Sequence, residues 1–392
     1  MTRFLTDLVH GKKQNDNVTG AVNVPVYTST TYAYPSAQAN VEYDYSRSGN
    51  PTRRFLEEQI ALLEGGVAGF AFSSGVAAIH AVLATFKAGD HIIIGKQIYG
   101  GTFRLINEFF AKWNLEVTPV DTRNIAEIKK AIKVNTKAIY FEPFTNPLLQ
   151  VSSVKQIARV AKENNLLTIV DNTFLTPYLQ KPLALGADIV IHSATKYISG
   201  HSDVVAGLVV VNSKELAQKV YFNQNAIGSV LSPENANLVR RGLQTLGVRM
   251  DRHLANAAKV VDFLQTSVAI KKIYYPGIAG TKDHEIAVNE CNGFGGLVTF
   301  EVAENVDPEV FVNNLKLIQL AVSLGAVESL IELPCKMTHA ELSQEEQQKV
   351  GITPQLIRLS VGIEDISDLL ADIKQALQKA TVKSVKSTKA IA

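Results

Sequence analysis

Cysteine is scarce in this chain of 392 residues, occurring only at Cys291 and Cys335. Two cysteines cannot build a disulfide framework or a zinc cage, so a reducing, cytoplasmic setting is expected and neither thiol receives a role. Long apolar runs are missing too: none approaches the roughly 18 residues that cross a bilayer. The opening "MTRFLTDLVHGKKQNDN" has no apolar signal core, so neither a membrane partner nor secretion is expected. The eight histidines show no HExxH or paired ligand spacing, and no metal is expected. No GxGxxG opens the first strand–helix unit, which argues against a nicotinamide oxidoreductase. Nor does one sign of charge prevail: 39 Lys and Arg face 37 Asp and Glu, for a net charge of +2. That balance offers no basic surface to a nucleic acid.

The length exceeds what one core usually supports, so two domains are expected. Residues 1–50 are rich in Thr, Ser, Tyr, Asn and Pro and lack a sustained helical period. They read as an extended arm lying against something else. A helix is predicted from "PTRRFLEEQIALLEGG", with Pro51 early in the first turn and Gly65-Gly66 at its stop. Short β-branched runs follow at 91–96, 115–120, 136–142, 166–172, 187–193 and 207–212, with helical patterns between several of them. Such alternation predicts an α/β unit over 51–245 whose largely parallel sheet is covered on both faces. A long helical stretch at 232–265 leads into a smaller α+β unit over 246–380, and 381–392, containing "KSVKSTK", is expected to be a flexible tail.

Ligands of open α/β sheets sit beyond the carboxyl ends of the strands. That rule gathers Glu142 to Asn146, Asp171 to Thr173, and Ser193 to Lys196. Asp171 ends an apolar run and would be costly to bury alone. A helix cap or a structural ion pair would account for it, as would a carboxylate facing a protonated ring nitrogen. Ser73, Ser74 and Gly75 precede an amphipathic helix, where backbone N–H groups either take a cap or meet an anion. Ser193 and Thr195 add hydroxyls just before Lys196. A phosphate cradle, a carboxylate for a pyridine nitrogen and a lysine amine together describe what pyridoxal 5′-phosphate requires.

The segments "YSRSGNPT", "SSGVAA", "YGGT", "TNP", "DNTF", "HSATKYISGHSD" and "LIRLSVGIED" carry a resemblance to a known family. From about residue 7 to 380 the chain resembles the Cys/Met-metabolism group of fold-type I pyridoxal-phosphate enzymes, the cystathionine γ-synthases, β-lyases and γ-lyases. The resemblance implies a large, mostly parallel seven-stranded sheet domain and a smaller α+β C-terminal domain. It matches Lys196 to the lysine that joins the cofactor aldehyde and Asp171 to the partner of the pyridine nitrogen. Gly75, Val76, Ser193 and Thr195 match phosphate contacts. Tyr45 and Arg47 match the pair given to the phosphate of the neighbouring subunit, which would explain the arm. Tyr99 matches the aromatic over the cofactor ring and a possible base. Arg358 matches the arginine that grips the substrate α-carboxylate, with Asn146 and Ser323 as neighbouring contacts and Arg104 and Glu142 as outer site residues. A homotetramer built as a dimer of dimers is implied as well.

Among the family's reactions, Val322 bears on the choice. Synthases and γ-lyases of this group often carry glutamate before "SLG", whereas here the chain reads "LAVSLGAVESL". An apolar residue there resembles the β-lyase branch, although it would also serve as simple packing. Cystathionine β-lyase, with some cysteine desulfhydration, is therefore the expected activity in methionine and cysteine metabolism. The alternatives are γ-lyase, γ-synthase and a non-catalytic cofactor-binding protein. His339, in "CKMTHAE", reads as an ordinary surface or core histidine, or else as a residue of the site entrance.

Overall fold

A computed structural model describes residues 3–12 and 18–381. The chain forms two compact units. The first comprises residues up to Asn146, Gln150–Asp251 and Ile278–Gly295; the second comprises Pro147–Leu149, Arg252–Gly277 and the residues from Gly296 on. The boundary thus falls inside the helix Leu246–Gln265 rather than ahead of it, and 278–295 return to the first unit. The tail expected at 381–392 lies outside the described residues except for Thr381, which bridges to Val306.

The first unit is built on a seven-stranded sheet of β1 (Ala68–Phe72), β2 (His91–Gly95), β3 (Glu116–Val120), β4 (Thr136–Phe141), β5 (Leu167–Asp171), β6 (Ile189–Ser193) and β7 (Gly207–Val211). Their order is β1-β7-β6-β5-β4-β2-β3. Only β7 runs against the rest, pairing antiparallel with both β1 and β6. Six of these strands answer to the β-branched runs of the sequence; β1, "AGFAF", does not.

Both faces of this sheet are buried. Ile92, Ile94, Ile169 and Val209 enter one apolar cluster, while Ile93, Ile139 and Val170 enter another. Alternate side chains of each strand point to opposite faces, so a run such as "III" at 92–94 is apolar throughout and fills two layers. The helix Pro51–Glu64 starts where expected, with Asn50 Oδ1 accepting from the N–H groups of Thr52 and Arg53. The arm is not wholly extended: Phe4–His10 is helical and buries Leu8. From Val18 to Asn50 the chain has no helix or strand, only an isolated bridge between Thr31 and Tyr45.

The second unit holds β8 (Ile270–Tyr274), β9 (Leu297–Val302), β10 (Gln319–Leu320), β11 (Leu330–Glu332) and β12 (Leu356–Ser360), ordered β10-β11-β12-β9-β8. The helix Ile366–Ala380, N-capped by Asp365, buries Leu369, Ile373 and Leu377. Among the described residues no helix is long and apolar enough to cross a membrane.

Candidate active site

Because β4, β5 and β6 are parallel neighbours, their carboxyl ends place Glu142, Asp171 and Ser193 along one edge of the first unit. Gly207 opens β7 opposite Ser193, and Phe72 ends β1 opposite Gly207, so the strand that leads into the helix Gly75–Leu83 reaches the same edge. Ser74 caps that helix, its hydroxyl accepting from Ala77 N–H. Gly75 lies so near Ser193 that a Cβ added there would stand 3.0 Å from Ser193 Cβ. A helix N-terminus, a serine hydroxyl and this close backbone approach suit a phosphate group. Val76 follows within the first turn.

Asp171 is buried, and Thr173 supports it directly. The backbone N–H and the hydroxyl of Thr173 both donate to Asp171 Oδ1, at 3.1 and 2.5 Å, while Tyr140 OH lies 3.3 Å from Oδ2. Ser193 N–H donates to Thr173 Oγ1 at 2.8 Å, tying β6 to the same group. Burial raises the Asp171 pKa, and the two Thr173 hydrogen bonds oppose that rise. Glu142 is raised further, by burial first and by the charge of Asp171 second, although it accepts from Tyr99 N–H at 2.6 Å. Two neighbouring buried carboxyls are costly to ionise together. A cationic heterocyclic N–H facing Asp171 would offset that cost. The edge therefore fits pyridoxal 5′-phosphate at both its phosphate and its ring.

Lys196 is half-buried in the turn that follows β6. Its backbone N–H donates to Ser193 O, and its carbonyl accepts from Gly200 N–H. Arg249 clasps this turn from the side, donating to the carbonyls of Tyr197 and Ile198 at 2.6 and 3.2 Å and to Gly242 O at 2.7 Å. Gly200 has φ +74°, and a Cβ there would fall 2.1 Å from Arg249 Nη1. Thr195, expected at a phosphate, closes the turn: its hydroxyl accepts from Ala206 N–H and donates to Ala206 O.

Other expected residues are placed less tightly. Tyr99 is 52 % exposed just ahead of the helix Gly100–Arg104, and Arg104 is exposed. Asn146 is half-buried at the end of the segment after β4. Arg47 lies over the Tyr45 ring at 5.5 Å and donates to the main-chain and side-chain oxygens of Asn225.

In the second unit Arg358, on β12, is buried and donates to Ser323 O at 2.8 Å. Its Nη1 stands 3.1 Å from Oε1 of Glu332, which is wholly buried on β11. Thr338 donates to the same Glu332 oxygen, and its hydroxyl lies 3.0 Å from His339 Nδ1. Burial, and then the Arg358 charge, push the His339 pKa down to about 4, so this ring is neutral near pH 7. Val322, beside Ser323, is 54 % exposed.

Thr173 was gathered with Asp171 at the strand end, but without a role of its own. Tyr140, Arg249, Glu332 and Thr338 were not singled out by the sequence, because their partners are met only in the folded chain.

The chain matches the family described as Cys/Met metabolism PLP-dependent enzyme over residues 5–378. A cystathionine beta-lyase of Lactococcus lactis subsp. cremoris strain MG1363 is 55% identical over 379 residues, covering 97% of this chain and 100% of that protein. A cystathionine gamma-lyase of Bacillus subtilis strain 168 is 50% identical over 373 residues, covering 95% and 98%. The crystal structure of cystathionine gamma-lyase from Lactobacillus plantarum complexed with L-serine superposes with a TM-score of 0.94 at 48% identity, covering 97% of this chain and 99% of that one.

Proposed function

Because the chain belongs to the Cys/Met-metabolism family of pyridoxal-phosphate-dependent enzymes, and is thus a PLP-dependent carbon–sulfur lyase, we propose that it is a cystathionine β-lyase. The reaction converts cystathionine and water to homocysteine, pyruvate and ammonia. One observation carries the choice: the position before Ser323 is Val322, where synthases and γ-lyases of this group often carry glutamate. The L. lactis relative named a β-lyase supports it.

When bound, the cofactor supplies an aldehyde and an electron-poor ring that stabilises negative charge at the substrate Cα. The phosphate would be held by Gly75, Val76, Ser193 and Thr195 with Tyr45 and Arg47, the latter two given to the neighbouring protomer of a dimer of dimers. Asp171 would hold the proton on the ring nitrogen, with its carboxylate fixed by Thr173. Tyr99 would cover the ring face and accept a proton from the incoming amine. Lys196 would hold the cofactor through its aldehyde, and its amine would take the substrate Cα proton. Arg358 would grip the α-carboxylate in a two-bond fork that lysine cannot reproduce, with Ser323 beside it; Asn146 is a further proposed substrate contact. Glu142 would steady Tyr99 through its backbone N–H, Arg104 would lie further out, and Val322 would face the distal part of cystathionine. Cleavage of cysteine to hydrogen sulfide follows from the same chemistry.

A γ-lyase reading draws support from the B. subtilis and L. plantarum relatives. It requires a further deprotonation at Cβ and yields cysteine, 2-oxobutyrate and ammonia. Purified holoenzyme supplied with L-cystathionine distinguishes the two: pyruvate in excess supports the β-lyase, and 2-oxobutyrate in excess rejects it.

A further inference from the structure

Glu332 stands directly across from Arg358 in the register of β11 and β12, and both side chains are buried. A wholly buried carboxylate is expensive, and such pairs are often no more stabilising than apolar residues of the same volume. The ladder itself already holds the two strands through Leu330↔Ser360, Ile331↔Leu359 and Glu332↔Arg358. What the pair adds is a fixed guanidinium. Glu332 Oε1 takes Nη1 at 3.1 Å, Ser323 O takes Nη2 at 2.8 Å, and Thr338 pins the Glu332 oxygen at 2.8 Å.

Ser323 pays for its part in backbone strain. Its φ of +89° is a left-handed value that a serine rarely adopts. The carbonyl of this strained residue is the one that accepts from Arg358. His339, behind Thr338, is neutral near pH 7, so the cluster holds one cation and one anion. A guanidinium presents five N–H donors in one rigid plane, so contacts that fix its Nη1 and Nη2 also fix the direction of its whole fork.

We propose that Glu332 is a positioning residue for substrate recognition, orienting the Arg358 guanidinium, with the Ser323 carbonyl, to receive the α-carboxylate of the amino-acid substrate. This rests on the reading of Arg358 given above. The test compares the holoenzymes of Glu332→Ala, Glu332→Gln, Thr338→Val and Arg358→Ala with L-cystathionine and L-cysteine as substrates. Glu332→Ala raises KM about 10- to 100-fold, the scale of one charged hydrogen bond, with kcat within about threefold of the parent. Glu332→Gln, whose amide oxygen can accept the same N–H, recovers most of that loss. Thr338→Val, at an exposed position that tolerates change, raises KM about two- to fivefold and keeps the question decidable if the alanine variant fails to fold. A purely structural pair would instead lower melting temperature and kcat together and leave KM unmoved. Parental KM in the Glu332 and Thr338 variants, with a raised KM in Arg358→Ala, overturns the positioning role. Parental KM in Arg358→Ala overturns the reading of Arg358 itself.

Discussion

Thr173 gives both its backbone N–H and its hydroxyl to one oxygen of Asp171, at 3.1 and 2.5 Å. The pair sets the charge that a cationic ring nitrogen would meet. Thr173→Val keeps the volume and the backbone bond but removes the hydroxyl. A hydrogen bond to a charged group contributes about 1.5–3 kcal/mol. Apo-enzyme titrated with pyridoxal 5′-phosphate is expected to bind it about tenfold more weakly in this variant, followed by visible absorbance. Unchanged affinity would remove Thr173 from the cofactor site.

The buried carboxyls predict a pH dependence of the apo-protein. Burial raises Asp171 and raises Glu142 well above the usual carboxylate range. Between the unfolded pKa and the raised folded one, the folded protein holds protons that the unfolded chain has released. Raising the pH through that window therefore favours unfolding. Urea unfolding of apo-protein should show less stability at pH 8 than at pH 6 for the native sequence, and a smaller loss for Glu142→Gln. Equal losses in both would contradict the assignment.

Arg249 is expected to matter through the Lys196 turn. It is buried, and burial lowers its pKa to about 10 while its guanidinium donates to three carbonyls. Arg249→Met should cost about 2–4 kcal/mol and loosen cofactor retention. Gly200→Ala should act in the same direction, because it adds both a strained φ and a clash with that guanidinium. Dialysis of the holoenzymes against buffer, with residual absorbance as the readout, checks both.

Val322→Glu should shift the products of L-cystathionine towards 2-oxobutyrate at least severalfold relative to pyruvate. Measured by separate keto-acid assays, an unchanged ratio would mean that residue 322 only packs.

The parallel strands were legible because burial on two faces demands apolar, β-branched runs such as "III" and "IVI". Strand β1 escaped because "AGFAF" has no β-branched residue, and it is held by pairing with β7, over a hundred residues away in sequence. The helix Phe4–His10 escaped for a different reason: it is short and buries only Leu8, so no period was there to read. The position of Asp171, Ser193 and Lys196 at or just after strand ends was readable because strand ends and motifs lie along the chain. Glu332 was not, because its meaning comes from β-register with Arg358, and register is absent from either segment alone. Arg249 was hidden in the same way, by a turn it meets only in the folded unit.

The placement of cofactor chemistry at Lys196 admits one direct measurement. Holoenzyme is reduced with borohydride and digested, and the peptide that carries the phosphopyridoxyl mass is sequenced. Modification of Lys196, lost together with the visible absorbance band in Lys196→Ala, is the predicted result; the same mass on a different lysine, with Lys196 unmodified, would contradict it.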